Sequence, residues 1–265
     1  ERLAKACAKR GWIFGVGSQR RELETDRPAI DAWSDLSASA PGLTSLGNLG
    51  LSQAIRSTPE EIRRLAENVG ASAFCIHLNA LQEVLQPEGT PQFAGGLAAL
   101  RTLARKLKKP LILKETGCGF SRKTLAKIKS IPLAAIDVSG LGGTHWGRIE
   151  GVRAGGEGDS IRASAAETFR DWGVSTIDSV REAAATVPKT TEIWASGGVR
   201  SGLDAAKLIA LGATRVGFAK PALEAALASE EALDEWMARI EFELRTALFC
   251  TGSRKPAQLR TARKK

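Results

Sequence analysis

Two glycine-rich stretches carry the first chemical signal. Ser196-Gly197-Gly198-Val199-Arg200 and Gly217-Phe218-Ala219-Lys220-Pro221 each follow a short apolar run and lead into a helical pattern. Glycine lets backbone N–H groups approach a phosphate, and Arg200 adds a charged fork. The plain alternative is a pair of tight turns, but two such loops at successive strand ends favour the phosphate. Lys114 closes the run Pro110-Leu111-Ile112-Leu113 and opens onto Glu115-Thr116-Gly117-Cys118-Gly119. A lysine there keeps its charge only against something anionic. That is either a neighbouring acid or, beside a phosphate-bearing cofactor, the electron-rich edge of a reduced flavin.

A third stretch, His77-Leu78-Asn79-Ala80-Leu81-Gln82-Glu83, closed by Gln86-Pro87-Glu88-Gly89, puts a titratable ring, amides and carboxylates in one place. A carboxylate beside an anionic ligand is repelled unless a divalent cation bridges them, so Glu83 reads as a magnesium ligand. A lone histidine is more often a satisfied core residue, and that reading is kept for His145. Gly17-Ser18-Gln19-Arg20 offers a hydroxyl, an amide and a guanidinium to an anion. Asn48, in Gly47-Asn48-Leu49-Gly50, is either a turn former or a ligand contact. Asp137-Val138-Ser139-Gly140-Leu141-Gly142-Gly143-Thr144 brings Ser139 and Thr144 within reach of a phosphate or flavin edge.

These residues follow β-prone apolar runs: Trp12 to Val16, Leu43 to Leu46, Ala73 to Leu78, Pro110 to Lys114, Leu133 to Val138, Glu192 to Ala195 and Arg215 to Ala219. Amphipathic stretches separate them: Thr58 to Val69, Phe93 to Leu107, Ser121 to Ile128, Ser164 to Thr186, Gly202 to Leu211 and Ala222 to Leu248. Buried strands alternating with helices imply a parallel sheet. With functional residues at strand ends, the pattern is a TIM (β/α)8 barrel in one domain over residues 1–250, followed by a basic tail, 251–265. Only seven strands are readable and a helical stretch, Arg2 to Arg10, opens the chain. The first strand is therefore expected to precede Glu1, a residue with no methionine before it. The connection from Ser139 to Ala163 is glycine-rich and reads as a structureless lid.

Composition narrows the class. At 265 residues, 43% hydrophobic and 25% charged, the chain suits one α/β domain with a true core. Six of the nine net positive charges sit in the last thirteen residues, without aromatic interleaving, so no nucleic-acid role is read from them. Cys7, Cys75, Cys118 and Cys250 lie far apart and form neither a zinc motif nor a disulfide framework, which points to a reducing, cytoplasmic setting. No apolar run approaches the roughly 18 to 20 residues of a membrane span.

Taken together, the motifs GSQR, HLNALQE, QPEG, KETGCG, DVSGLGGTHW, ASGGVRSGLDAAKLIALGA and VGFAKP resemble the type 2 isopentenyl diphosphate isomerases, in the family's order, over about Gly15 to Pro221. The resemblance implies a homo-oligomeric flavoprotein barrel that uses FMN, reduced by NADPH, and a magnesium ion to isomerise isopentenyl and dimethylallyl diphosphate. It implies that Ser18, Gln19, Arg20, His77 and Asn79 bind this small diphosphate substrate, with Gln82 over the reacting alkene and Glu83 on magnesium. Ser18, Asn48, Lys114, Ser139 and Thr144 would contact FMN, with its phosphate on Gly198, Val199, Arg200, Ala219 and Lys220.

The chain departs from the family at Thr90, where an aspartate is usual, and in lacking the N-terminal segment with its diphosphate-clamping basic residues. Two alternatives stand beside the isomerase. One is an FMN-dependent 2-hydroxy acid oxidase or dehydrogenase, disfavoured because Ala195-Ser196-Gly197-Gly198 stands where that chemistry needs a histidine base. The other is a truncated, inactive FMN-binding barrel.

Overall fold

The computed structural model describes residues 1–24 and 38–262; Arg263, Lys264 and Lys265 of the basic tail lie outside the described residues. Helix α1 (Arg2–Arg10) ends on Lys9 and Arg10, which complement the helix dipole, and on Gly11 in the left-handed region at φ 67°. The chain then alternates strand and helix. β1 (Ile13–Gly15) leads to α2 (Arg20–Glu24), and β2 (Thr44–Gly50) to α3 (Leu51–Ala54) and α4 (Pro59–Asn68). β3 (Ala73–His77) is followed by α5 (Ala80–Leu85) and α6 (Gly96–Lys106), β4 (Leu111–Lys114) by α7 (Arg122–Ile128). After β5 (Ala135–Asp137) come α8 (Trp146–Gly156), α9 (Ser160–Thr168) and α10 (Thr176–Thr186). β6 (Glu192–Ala195), α11 (Gly202–Leu211), β7 (Arg215–Val216), α12 (Lys220–Ala228), α13 (Glu230–Cys250) and α14 (Leu259–Ala262) complete the order.

The seven strands among the described residues form one parallel sheet in sequential order, β1 to β7, consistent with a TIM barrel short of one strand. Their side chains alternate between two environments, as the pleat requires. Phe74, Ile76, Leu111, Leu113, Ile136 and Ile193 face outward into the large core beneath the helices. Leu46, Ala73, Cys75, Ile112 and Ala135, with Ile13 and Trp194, form a separate cluster inside the curled sheet. The period of two therefore also turns His77, Lys114 and Asp137 inward, one layer above that cluster. Register aligns them: His77 pairs with Lys114, and Lys114 with Asp137.

The two sheet edges meet through aromatic rings. Trp12, before β1, stacks on Phe218, after β7, at 5.8 Å between centroids, and Trp236 of α13 packs edge-on against both. Charged groups extend this clasp: Arg10 reaches Asp234 and Glu241, and Trp12 Nε1 donates to Glu241.

Several expectations change. β2 runs on to Gly50, past the expected end at Leu46, so Asn48 is a strand residue and no turn former. Gly47 permits this, because a Cβ there would meet the Phe74 ring at 2.5 Å. The last strand stops at Val216, once Gly217 has donated to Ala195 O. The stretch from Ser164 to Thr186 splits into α9 and α10, since Gly173 takes φ 146° and Leu141 bridges to Ser175. The stretch from Ala222 splits at Ser229, whose hydroxyl caps α13. The connection after Ser139 is not structureless: it holds α8 and the start of α9. Near the C-terminus, Leu259 is buried against Ala206 and Ile209, and Arg260 donates to Ala213 O.

Candidate functional site

The sequence-predicted residues gather where the parallel strands end, the face on which TIM barrels keep their active sites. Asn48, His77 and Lys114 come from adjacent strands. His77 Nδ1 lies 2.9 Å from Asn48 Oδ1, and Asn48 Nδ2 donates to Val16 O. Burial, then the neighbouring Lys114, pushes the His77 imidazolium down to about 3, so the ring is neutral. Lys114 Nζ donates to Glu115 O, and no carboxylate among the described residues stands within ion-pair distance of it. The neighbouring-acid alternative for Lys114 therefore loses its partner: Asp137 accepts from Ser196 Oγ, while the Glu115 carboxylate folds back on the N–H groups of Thr116 and Cys118. Burial raises that carboxyl to about 7.

A second group lies on α5 and α8. Asn79 Nδ2 donates to Glu83 Oε1 and to Gln82 Oε1, and Gln82 Nε2 donates to Glu150 Oε1 at 3.1 Å. Glu83 Oε2 accepts from the Thr90 backbone N–H, so the position that departs from the family still serves the carboxylate through its main chain. Within this chain the buried Asn79 Oδ1 and Glu150 Oε2 have no hydrogen-bond partner. Arg153 Nη1 stands 3.6 Å from Glu150 Oε2, an ion pair longer than a hydrogen bond, whereas Asn79 Oδ1 is left without a donor among the described residues, a state buried polar atoms seldom keep. Glu150, 6% exposed, was missed by the sequence reading because it sits in the stretch expected to lack structure. Its spacing from Arg153 and Glu157, one helical turn and two, was the available signal.

Around the rim, Ser18 is exposed and Arg20 donates to Glu88 O, while Glu88 also pairs with Arg153 of α8. Gln19 is different. At 2% exposure its Nε2 donates to Glu22 and Leu65 O and its Oε1 accepts from Asn48 N, so its side-chain amide is taken up within the protein.

The loop after β7 lies beside the loop after β6, where a Cβ on Gly217 would meet the Ser196 Cβ at 3.2 Å. Gly197 and Gly198 take φ 97° and 81°, and Gly143 lies so close that a Cβ on it would meet Gly198 N. The N–H groups of Gly198, Val199, Ala219 and Lys220 have no acceptor among the described residues. The Arg200 side chain is exposed, and its N–H helps Ser201 and Asp204 cap α11. Ser139, at φ 33°, and exposed Thr144 flank the same loops.

His145 is the satisfied residue expected of it. Nδ1 accepts from Arg148 N, capping α8, so Nε2 carries the hydrogen and points it at Trp172 O. Cys118 Sγ, 3.6 Å from that nitrogen, meets a donor rather than a base, and burial pushes its thiol up to about 12, which removes it as a nucleophile. All four cysteines are free. Among the described residues no cluster of three His, Cys, Asp or Glu side chains forms, and no helix is long and apolar enough to cross a membrane. At the opposite face a cavity of about 410 Å³ is lined by Lys109, Lys129, Pro132 and Thr191, without an acid, histidine or cysteine.

Comparison with known proteins bears on this geometry. The sequence profile described as FMN-dependent dehydrogenase matches residues 90–264. An isopentenyl-diphosphate delta-isomerase of Legionella pneumophila is 54% identical over 253 residues, covering 96% of this chain and 73% of that protein. Proteins of the same name from Bdellovibrio bacteriovorus and a Synechococcus species are 49% and 44% identical, over 96% and 98% of this chain and 72% and 73% of theirs. Among solved structures, a mandelate oxidase superposes with a TM-score of 0.65 at 18% identity, over 98% of this chain and 72% of that one, a likeness of fold.

Proposed function

This chain belongs to the FMN-dependent isopentenyl-diphosphate delta-isomerases, and from that premise we propose which of its residues carry the 1,3-allylic proton shift between isopentenyl and dimethylallyl diphosphate. The observation that carries the proposal is the hydrogen-bonded line Glu83–Asn79–Gln82–Glu150, which follows the C-terminal end of β3 as Lys114 ends β4 and the glycine loops follow β6 and β7. A diphosphate and a flavin phosphate need separate anion sites, and the strand-end face offers two.

FMN fits the second of these. The unpaired amides of Gly198, Val199, Ala219 and Lys220 would take its phosphate, with Arg200 nearby. Lys114, lacking an acid partner, would stand against the negative edge of the reduced ring, with Ser18, Asn48, Ser139 and Thr144 around the cofactor. Reduced FMN, when bound, supplies the electron-rich ring that gives and takes the allylic proton.

The first site would hold the substrate. His77, Asn79 and Arg20 bind the diphosphate. Glu83 is the magnesium ligand: the ion typically takes one or two carboxylates, with phosphate and water completing its shell, so the absence of a three-residue cluster among the described residues is compatible with it. Water on that ion would donate to the orphaned Asn79 Oδ1. Gln82 lies over the alkene, its amide fixed by Asn79 and Glu150, and its neutral side chain excludes water without competing for the proton. NADPH is the expected reductant; cysteine content points to a reducing, cytoplasmic setting, and the family resemblance to a homo-oligomer.

Purified protein with reduced FMN and magnesium is expected to convert isopentenyl diphosphate to dimethylallyl diphosphate, while lactate leaves bound flavin oxidised. Flavin bleaching by a 2-hydroxy acid without isomerisation would reverse the ranking. The chain's only two histidines are committed to Asn48 and to the α8 cap, neither as a base beside a carboxylate-binding arginine. A colourless protein that cannot be reconstituted would sink both enzyme readings.

A further inference from the structure

The protonation state of His77 follows from the hydrogen bonds around it. Gln19 Nε2 donates to Glu22 and Leu65 O, which leaves Gln19 Oε1 to accept from Asn48 N. Asn48 Nδ2 donates to Val16 O, which turns Oδ1 toward the ring. An amide oxygen only accepts, so His77 Nδ1 carries the hydrogen at 2.9 Å from it. Nε2 is then a bare lone pair, with no hydrogen bond to any described residue.

The charged surroundings keep it bare. Of the elements packed on β3, β2 and α3 carry no ionisable side chain and β4 brings the cation Lys114. The carboxylate of Glu83, on the helix that follows, is spent on Asn79 and Thr90. A bare Nε2 facing a phosphoryl oxygen would set lone pair against lone pair.

Resting on the reading of this pocket as a diphosphate site, we propose that His77 takes up a proton from solvent at Nε2 when the diphosphate binds, while Nδ1 stays on Asn48. The ligand's charge offsets Lys114 and the burial, and the imidazolium then donates from both nitrogens, to Asn48 and to phosphate. Diphosphate binding is thereby linked to pH: it is favoured at low pH and weakens as pH rises.

The test is calorimetric titration of the FMN-loaded protein with magnesium pyrophosphate in two buffers of different ionisation enthalpy, for wild type and His77→Gln. Pyrophosphate's own protonation is common to both proteins, and the glutamine amide donates without a proton. Wild type should take up about one proton more than the variant, and between the free-state and bound-state pKa its affinity should fall by about tenfold per pH unit relative to the variant. Equal uptake in two proteins that both bind would overturn the proposal and leave the diphosphate site standing, whereas a wild type that does not bind overturns both. Nitrogen-15 spectra of histidine-labelled wild type decide the matter without a variant. The chain has two histidines, and His145, held on both nitrogens, is the internal reference. His77 Nε2 should move from an unprotonated to a protonated shift on adding magnesium pyrophosphate; an unprotonated signal in the bound protein refutes the idea.

Discussion

Gln82 and Glu83 share Asn79 Nδ2 but differ in their second partners, Glu150 and the Thr90 N–H, and their substitutions should separate. Gln82→Ala is expected to lower kcat on the order of 100-fold with FMN still bound, as loss of one positioned polar group typically does. Glu83→Ala should chiefly raise the magnesium concentration needed for half-maximal rate; equal activity of both variants with wild type would show the site misplaced. Glu115 gives a pH prediction. Its carboxyl is raised from 4.5 to about 7 by burial, so the folded state binds its proton more tightly than the unfolded one. The stability this contributes is complete below pH 4.5 and lost as pH rises through 7, up to about 3 kcal/mol. Thermal melts of Glu115→Gln should lack this decline, and parallel melting profiles of the two proteins would contradict it. Asn79, Gln82 and Glu83 were legible because one short stretch holds them all. The hydrogen bonds of Gln19 were not legible, because residue type says nothing of where an amide's two atoms are spent.

The strand-ending loops were the most readable elements and the helices over the mouth the least. The glycine pair at the end of β6 and Gly217 at the end of β7 announce a backbone that must come close to something, and Gly198 does so against Gly142. Gly198→Ala combines a positive φ of 81° with that collision, a strain on the order of 1–3 kcal/mol locally. The expected result is protein purified without flavin absorbance; a yellow Gly198→Ala protein would mean the phosphate lies elsewhere. The glycines between Ser139 and Ala163 misled in the opposite direction. Gly147, Gly151 and Gly155 sit inside α8, where Gly151 lets the helix approach Ala166 of α9, so a composition that reads as flexible supports close helix packing. Glu150 was hidden by the same composition.

At the scale of the whole chain, the βα alternation was plain, whereas the closure of the sheet's edges by side chains was not, since no local pattern joins Trp12 to Phe218 or Trp236. That clasp is a cluster separate from the main core, with Trp236 9% exposed and Met237 1%. Trp236→Ala should cost about 3–5 kcal/mol, the range for truncating a buried aromatic, read as a shifted denaturant midpoint; a shift within error would mean the edges hold without it. The clasp also imposes a timetable on biosynthesis. Arg10 and its partner Asp234 are separated by 224 positions. At ribosomal speeds the nascent helix α1 therefore waits roughly 10–45 s for the surface it covers, and throughout that interval its residues depend on the cell to keep them from finding another partner.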